Sequence, residues 1–232
     1  MTEALFWQQR PVKLTYSQRK TIALHVKDNQ IEIRAPWRTP HLFVQDFLAT
    51  KTLWLEKTLA QQELQLRQQV DYRQASQIPF MGFNVQLIRT DAVSASWQLD
   101  EAGLRCNVPS TSDNALLPLL NDFYQQQAKF WLVKKTHQIA DQLGLRARLA
   151  DIGLRKTKTK WGHCTNQGRI QYNWQIMMAP ESVIDYLVAH EVCHLEHLNH
   201  SSAFWQLVHR AHPNYVQDRR WLRDNGHRLR VV

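Results

Sequence analysis

The sequence predicts an α+β chain. Three observations carry this: β-type alternation recurs through the first hundred residues, two long helical periodicities interrupt and follow it, and the last third is rich in helical patterns. Composition agrees, because 44% apolar and 21% charged residues in a chain of 232 describe a globular protein with a sizeable core.

In TIALHVKDNQIEIRAP, Ile22, Leu24 and Val26 alternate with Thr21, Ala23 and His25. Polar residues at 27–30 then precede Ile31 and Ile33, which predicts a hairpin closed by Ala35-Pro36. Thr39-Pro40 has the form of an N-cap followed by proline at the first helical position. Val44, Phe47, Leu48, Lys51, Trp54, Leu55 and Leu59 recur at helical spacing beyond it, predicting one helix over 41–69. Strand patterns return at 83–90, 95–100 and 104–108.

The polar run STSDN at 110–114 then divides a strand-rich N-terminal region with one long helix, 1–112, from a second domain, 113–232. A helix over 115–143 opens that domain, with Pro118 tolerated near its start and Gly144 as its stop. Strands are expected at 152–160 and 169–178 around the loop 161–168. Ala179-Pro180-Glu181 opens a further helix, and helices over 202–211 and 214–225 complete the chain. There is no internal repeat in the sequence and no low-complexity tract.

The helix that begins near 180 carries HEVCHLEHLNHS at 190–201. His190-Glu191-Val192-Cys193-His194 is an H-E-x-x-H motif: a four-residue spacing sets both imidazoles on one helical face, within reach of one Zn²⁺ at ~2.0–2.1 Å. Glu191, ~100° further round, borders the same pocket without binding the ion. It is placed to take a proton from water acidified by the metal. A third ligand cannot be a later glutamate, since none follows Glu196; Asp218 and Asp224 are weak substitutes. His197 sits too far along a straight helix to converge with His190, at ~10 Å of axial rise. A turn at Leu198-Asn199 instead brings back His200, the expected third ligand, and leaves His197 behind the ligands or on the surface. The spacing of His190, His194 and His200 equals that of metzincin peptidases, but the glycine of that pattern at 197 is absent, and Met177 and Met178 precede the motif.

Arg155-Lys156-Thr157-Lys158-Thr159-Lys160 precedes Trp161. On a strand, Lys156, Lys158 and Lys160 share one face. That face is either a solvated edge that discourages aggregation or a cationic wall for phosphates or a substrate carboxylate. Trp161 either stacks on a base or packs in the core, and Asn173 lies on a neighbouring strand that can pair with an extended peptide.

A net charge of +9, from 29 Lys and Arg against 20 Asp and Glu, suits nucleic acid, nucleotides or acidic partners, or is simply a basic surface. No run approaches the ~18 apolar residues of a membrane span, and the opening MTEALFWQQR has no leader-like stretch. Three scattered cysteines form neither a disulfide framework nor a CxxC site. A cytoplasmic protein that avoids membranes is the expectation.

The runs KTKTKWGHC, GRIQYNWQIMMAPESVIDYLVAHEVCHLEHLNHSSAFW and HPNYVQDRRWLRDNG closely resemble the YgjP-like metallopeptidase-domain family, a zincin relative akin to the SprT and WLM groups. The resemblance is strong over about 150–226. It implies a zincin-like domain whose H-E-x-x-H helix packs on a small sheet, His190, His194 and His200 as ligands of one zinc, and Glu191 as general base. Two positions depart from the family pattern: His163 replaces the usual serine in Trp-Gly-Ser-Cys, and Cys193 stands where alanine is common. His163 adds a polar group near the pocket. Peptidase activity on a peptide or protein is the implied function. Nucleoside triphosphate hydrolysis (of UTP, for example) at a phosphoanhydride bond, with the basic segment 155–160 holding phosphates and Mg²⁺ assisting, is the alternative. A non-enzymatic, nucleic-acid-associated zinc module is a third.

Overall fold

The computed structural model describes residues 4–27, 29–67, 70–109, 115–157 and 159–231. The chain forms two compact units, divided at 69/70. The sequence places this division at 112/113, in a run that lies outside the described residues. The strands between 77 and 108 belong with the later unit for a plain reason. Ile78, Leu87, Leu104 and Cys106 share one core with Leu116, Leu120, Phe123 and Tyr124.

The first unit is a four-stranded sheet with two helices. β1 (Leu5–Trp7), β2 (Arg10–Ser17), β3 (Ala23–Lys27) and β4 (Gln30–Pro36) lie in the order β1-β2-β4-β3, with β2 and β4 parallel and the outer pairs antiparallel. The expected hairpin is β3–β4. The predicted single helix is two, α1 (His41–Thr50) and α2 (Thr52–Arg67). At the break, Thr50 and Thr52 turn their hydroxyls back onto the carbonyls of Phe47 and Ala49, at 2.7 and 3.0 Å. Such bonds compete with the helical ladder, and Lys51 leaves it.

The second unit opens with another four-stranded sheet: β5 (Gln77–Phe80), β6 (Phe83–Asp91), β7 (Ser96–Asp100) and β8 (Gly103–Val108), in the order β5-β6-β8-β7. Its central pair is again parallel and its outer pairs antiparallel. The two sheets thus repeat a topology that the sequence does not show. α3 (Leu116–Gln142) buries a stripe at every fourth residue, from Leu116 through Leu120, Tyr124, Ala128, Leu132 and Thr136 to Ala140. Gly144 ends it at φ +70°, while Leu145 N–H and Gly144 N–H close on the carbonyls of Ala140 and Asp141.

β9 (Asp151–Arg155), β10 (Gly162–Cys164) and β11 (Arg169–Asn173) form a small sheet in the order β10-β11-β9. Both predicted strands here are shorter than expected. β9 stops at Arg155, so, among the described residues, 156, 157, 159 and 160 lie beyond the strand, and Lys156 and Lys160 do not share a strand face. β11 stops at Asn173, whose side chain accepts from Gln175 N–H at 3.1 Å and starts a short 3₁₀ turn over Trp174–Met178. α4 (Glu181–Cys193), α5 (Ser202–Ala211) and α6 (Tyr215–Asn225) complete the unit. No helix among the described residues is long and apolar enough to cross a membrane.

Candidate metal centre

α4 is buried over most of its length, with Val183, Ile184, Leu187, Val188 and Val192 in the core. This fixes its rotation and sends His190 and His194 to the opposite, open side. The helix ends at Cys193, ahead of the predicted turn at Leu198-Asn199. His194 is its C-cap, and tight bonds from Leu195 and Glu196 N–H to the carbonyls of Val192 and Cys193 curl the chain over. Burial of Leu195 drives this early turn, and Arg148 holds it through the Leu195 carbonyl at 3.3 Å and the Glu196 carboxylate at 2.9 Å. Ser201 then caps α5, its hydroxyl accepting from Phe204 N–H at 3.4 Å.

Between these helices the imidazoles of His190, His194 and His200 converge, each with a ring nitrogen within 4.8 Å of the other two. The Nε2 atoms of His190 and His200 are 3.2 Å apart. Two nitrogens bound to one tetrahedral zinc stand ~3.3–3.4 Å apart, so the spacing is that of a chelating pair when neither Nε2 carries a proton. His194 Nδ1–H donates to the His197 carbonyl at 2.9 Å, which leaves Nε2 bare. The bystander histidine therefore contributes its backbone. Burial, then the neighbouring His194, His200 and Arg219, pushes the pKa of His190 down to about 3, so this residue is neutral at pH 7, as a ligand must be. Burial likewise lowers His194, against the opposing bond from the His197 carbonyl. Phe204 packs against all three rings at centroid distances of 4.6–5.0 Å, and Trp205 stacks on His200 at 5.6 Å. Three converging imidazoles on an apolar seat fit a divalent ion of the zinc type.

Glu191 is 4% exposed, and its Oε2 has no partner among the described residues. Burial pushes its carboxyl up to about 8, against a smaller opposing pull from Lys160. Gly162 of β10 makes room for it, since a β-carbon there would lie 2.5 Å from Cδ of Glu191. The Cys193 thiol, pushed up to about 12 by burial, stays protonated and packs in the core.

The remaining predicted residues divide. Asp218 is taken by Ser182 at 2.9 Å and His212 at 2.6 Å, and Asp224 pairs with Arg223, so neither ligates with the histidines. Lys156 donates to the Val231 carbonyl and sits over the Trp174 ring, a structural role. Lys158 lies outside the described residues. Lys160 and Trp161 line a cavity next to the histidines, together with Asn173. Asn173 also holds the segment before Trp161 in place, donating from Nδ2 to the Thr157 carbonyl at 2.9 Å. Its strand is central in the three-stranded sheet and has no free edge for a peptide; that edge belongs to β10. His163 on β10 is exposed and close enough to disfavour charge on His194. Gly162, Phe204, Trp205 and Arg219 are absent from the sequence-based site.

The YgjP-like metallopeptidase-domain family matches this chain over residues 20–225. A search of the curated proteins finds no significant match. Among solved structures, the chain is similar to the crystal structure of the metallopeptidase zymogen of Pyrococcus abyssi abylysin. The identity is 21% and the TM-score 0.35, over 40% of this chain and 93% of that one. Because the family match spans nearly the whole chain and encloses the histidine site, the chain belongs to the YgjP-like metallopeptidase-domain family.

Proposed function

We propose that the chain is a zinc-dependent peptidase of zincin type. One observation carries the reading: three imidazoles converge beside a buried carboxyl that has an unpartnered oxygen. His190, His194 and His200 would hold the ion. When bound, zinc supplies Lewis acidity toward water and a scissile carbonyl. Glu191 accepts the proton of the attacking water and delivers it to the departing amine. Its raised affinity for protons suits a group that must hold one between the two steps. The free edge of β10 runs past Glu191 at Gly162 and offers an extended peptide a backbone to pair with.

The purified protein is expected to carry one zinc per chain, removable by chelation and sharply reduced in His194→Ala. Glu191→Gln keeps the metal and lowers peptide cleavage by at least ~100-fold. A metal-free preparation, or unchanged cleavage in Glu191→Gln, would end this reading. The alternative, nucleoside triphosphate hydrolysis, draws its phosphate contacts from a basic strand over 155–160, and β9 ends at Arg155. Pyrophosphate release from a nucleotide panel without peptide cleavage would nonetheless reverse the order. Salt-sensitive DNA binding without hydrolysis of either substrate would favour the nucleic-acid module with a structural zinc.

A further inference from the structure

Beside the histidines lies a cavity of about 390 Å³ whose wall carries Lys160, Arg219, Arg223 and Arg230 but, among the described residues, no carboxylate. Lys160, Arg219 and Arg230 have no ion-pair partner among the described residues, and Arg223 shares Asp224 with Arg220. Four like charges around one space repel each other, which an anion in that space would relieve. A second observation is independent of charge. Gln175, 3% exposed, also lines the cavity, and its Nε2 donor finds no acceptor among the described residues. A buried amide donor without a partner is rare, and here a ligand oxygen would satisfy it.

The cavity adjoins the proposed reaction centre. Trp161 in its wall immediately precedes Gly162, which abuts Glu191. Tyr186, another wall residue, has its ring 5.8 Å from that of His190. Leu222 and Trp161 give the cavity apolar surface for a hydrocarbon stem. No α-helix N-terminus among the described residues enters it: α6 supplies Arg219, Leu222 and Arg223 from its middle and last turns. The positive character thus comes from side-chain forks and a lysine, without the amides and dipole of an α-helix N-terminus.

We propose that this cavity is the specificity subsite of the peptidase and takes a carboxylate of the peptide substrate, from an acidic side chain or the free C-terminus. The assignment rests on the peptidase reading above. The test uses the full zinc-loaded chain and three matched peptides. One bears Glu and an amidated end, one Gln and an amidated end, and one Gln and a free carboxyl end, with the Glu walked across the positions flanking the scissile bond. At least one acidic peptide should exceed the neutral one by roughly tenfold in kcat/KM, and the ratio should fall to within about twofold in the double variant Arg219→Gln, Arg223→Gln. Which acidic peptide wins identifies the source of the carboxylate. Arg223→Glu should move the preference toward a Lys-bearing peptide, a gain that misfolding cannot mimic. Equal rates on all three peptides overturn the assignment. If no peptide is cleaved, the peptidase reading fails, and the cavity is judged by calorimetric titration of the same peptides into the Glu191→Gln protein. Tighter binding of an acidic peptide then supports the carboxylate site. Equal affinities, or inorganic phosphate binding more tightly than the acidic peptides, remove it.

Discussion

At position 162 a β-carbon would stand 2.5 Å from Cδ of Glu191, well inside the distance at which nonbonded carbons meet, so the volume of the carboxylate requires glycine there. Gly162→Ala should displace Glu191 at a cost of about 1–3 kcal/mol, leaving zinc content unchanged while peptide cleavage collapses. Cleavage at the wild-type rate would show that the two positions do not constrain each other. Glu191 also gives the metal-free protein a pH signature. Its pKa is about 8 in the fold against 4.5 unfolded, so its contribution is fully present below pH 4.5 and is lost as pH rises through 8. Metal-free wild type should therefore lose stability across that window relative to metal-free Glu191→Gln, by up to about 1.4 kcal/mol per pH unit. His190 has the opposite sign, its contribution lost as pH falls from 6.5 toward about 3, but it is common to both proteins and cancels. Denaturant curves at pH 5 and pH 8 check this, and a constant difference would refute it. At this scale His190, Glu191 and His194 were legible because their relation is one helical turn, and His200 because the chain after Glu196 offers no glutamate. Gly162, Gln175 and Arg219 were not, since each matters through a neighbour distant in sequence.

The turn between α4 and α5 decides whether the three imidazoles meet. Two devices hold it: Arg148 on the Leu195 carbonyl and Glu196, and the Ser201 cap that fixes where Phe204 and Trp205 enter the site. Ser201→Ala should cost about 1 kcal/mol and weaken zinc binding, because His200 precedes the cap directly and packs on both aromatic rings. A competition assay against a chelator of known affinity reads the effect, and unchanged affinity would confine the cap to stability. Long periodic helices such as α3 could be read from sequence because one residue in four repeats the same burial. Shorter features could not. The hairpin of β1 and β2 turns on Gln8 and Gln9, at φ 45° and 67°, where no Asn-Gly pair signals a turn. The end of β9 is set by bonds from Asn173 and to Val231, which no local pattern reveals.

Each compact unit has its own four-stranded sheet with a parallel central pair, and His190, His194 and His200, the candidate ligands, belong to the later unit. Calorimetry should resolve two transitions, with chelation lowering only the later unit's. At zinc near 100 times Kd the ligand contributes about 2.7 kcal/mol, a shift of roughly 5–10 °C for a unit of that size. A single transition that moves as a whole would show that the units unfold together. The compact units divide at 69/70 where the sequence suggests 112/113, because a polar run marks a loop without saying whether the elements on either side share a core. The shortness of the ligand segment has one more effect. His190, His194 and His200 fall within a stretch so brief that the unfolded chain can wrap it around the same ion, and the entropy of closing such a loop grows only with the logarithm of its length. On the proposed reading, zinc would therefore bind both ends of the folding equilibrium. Its protection against heat should level off as zinc is raised, at a ceiling set by the ratio of the two affinities.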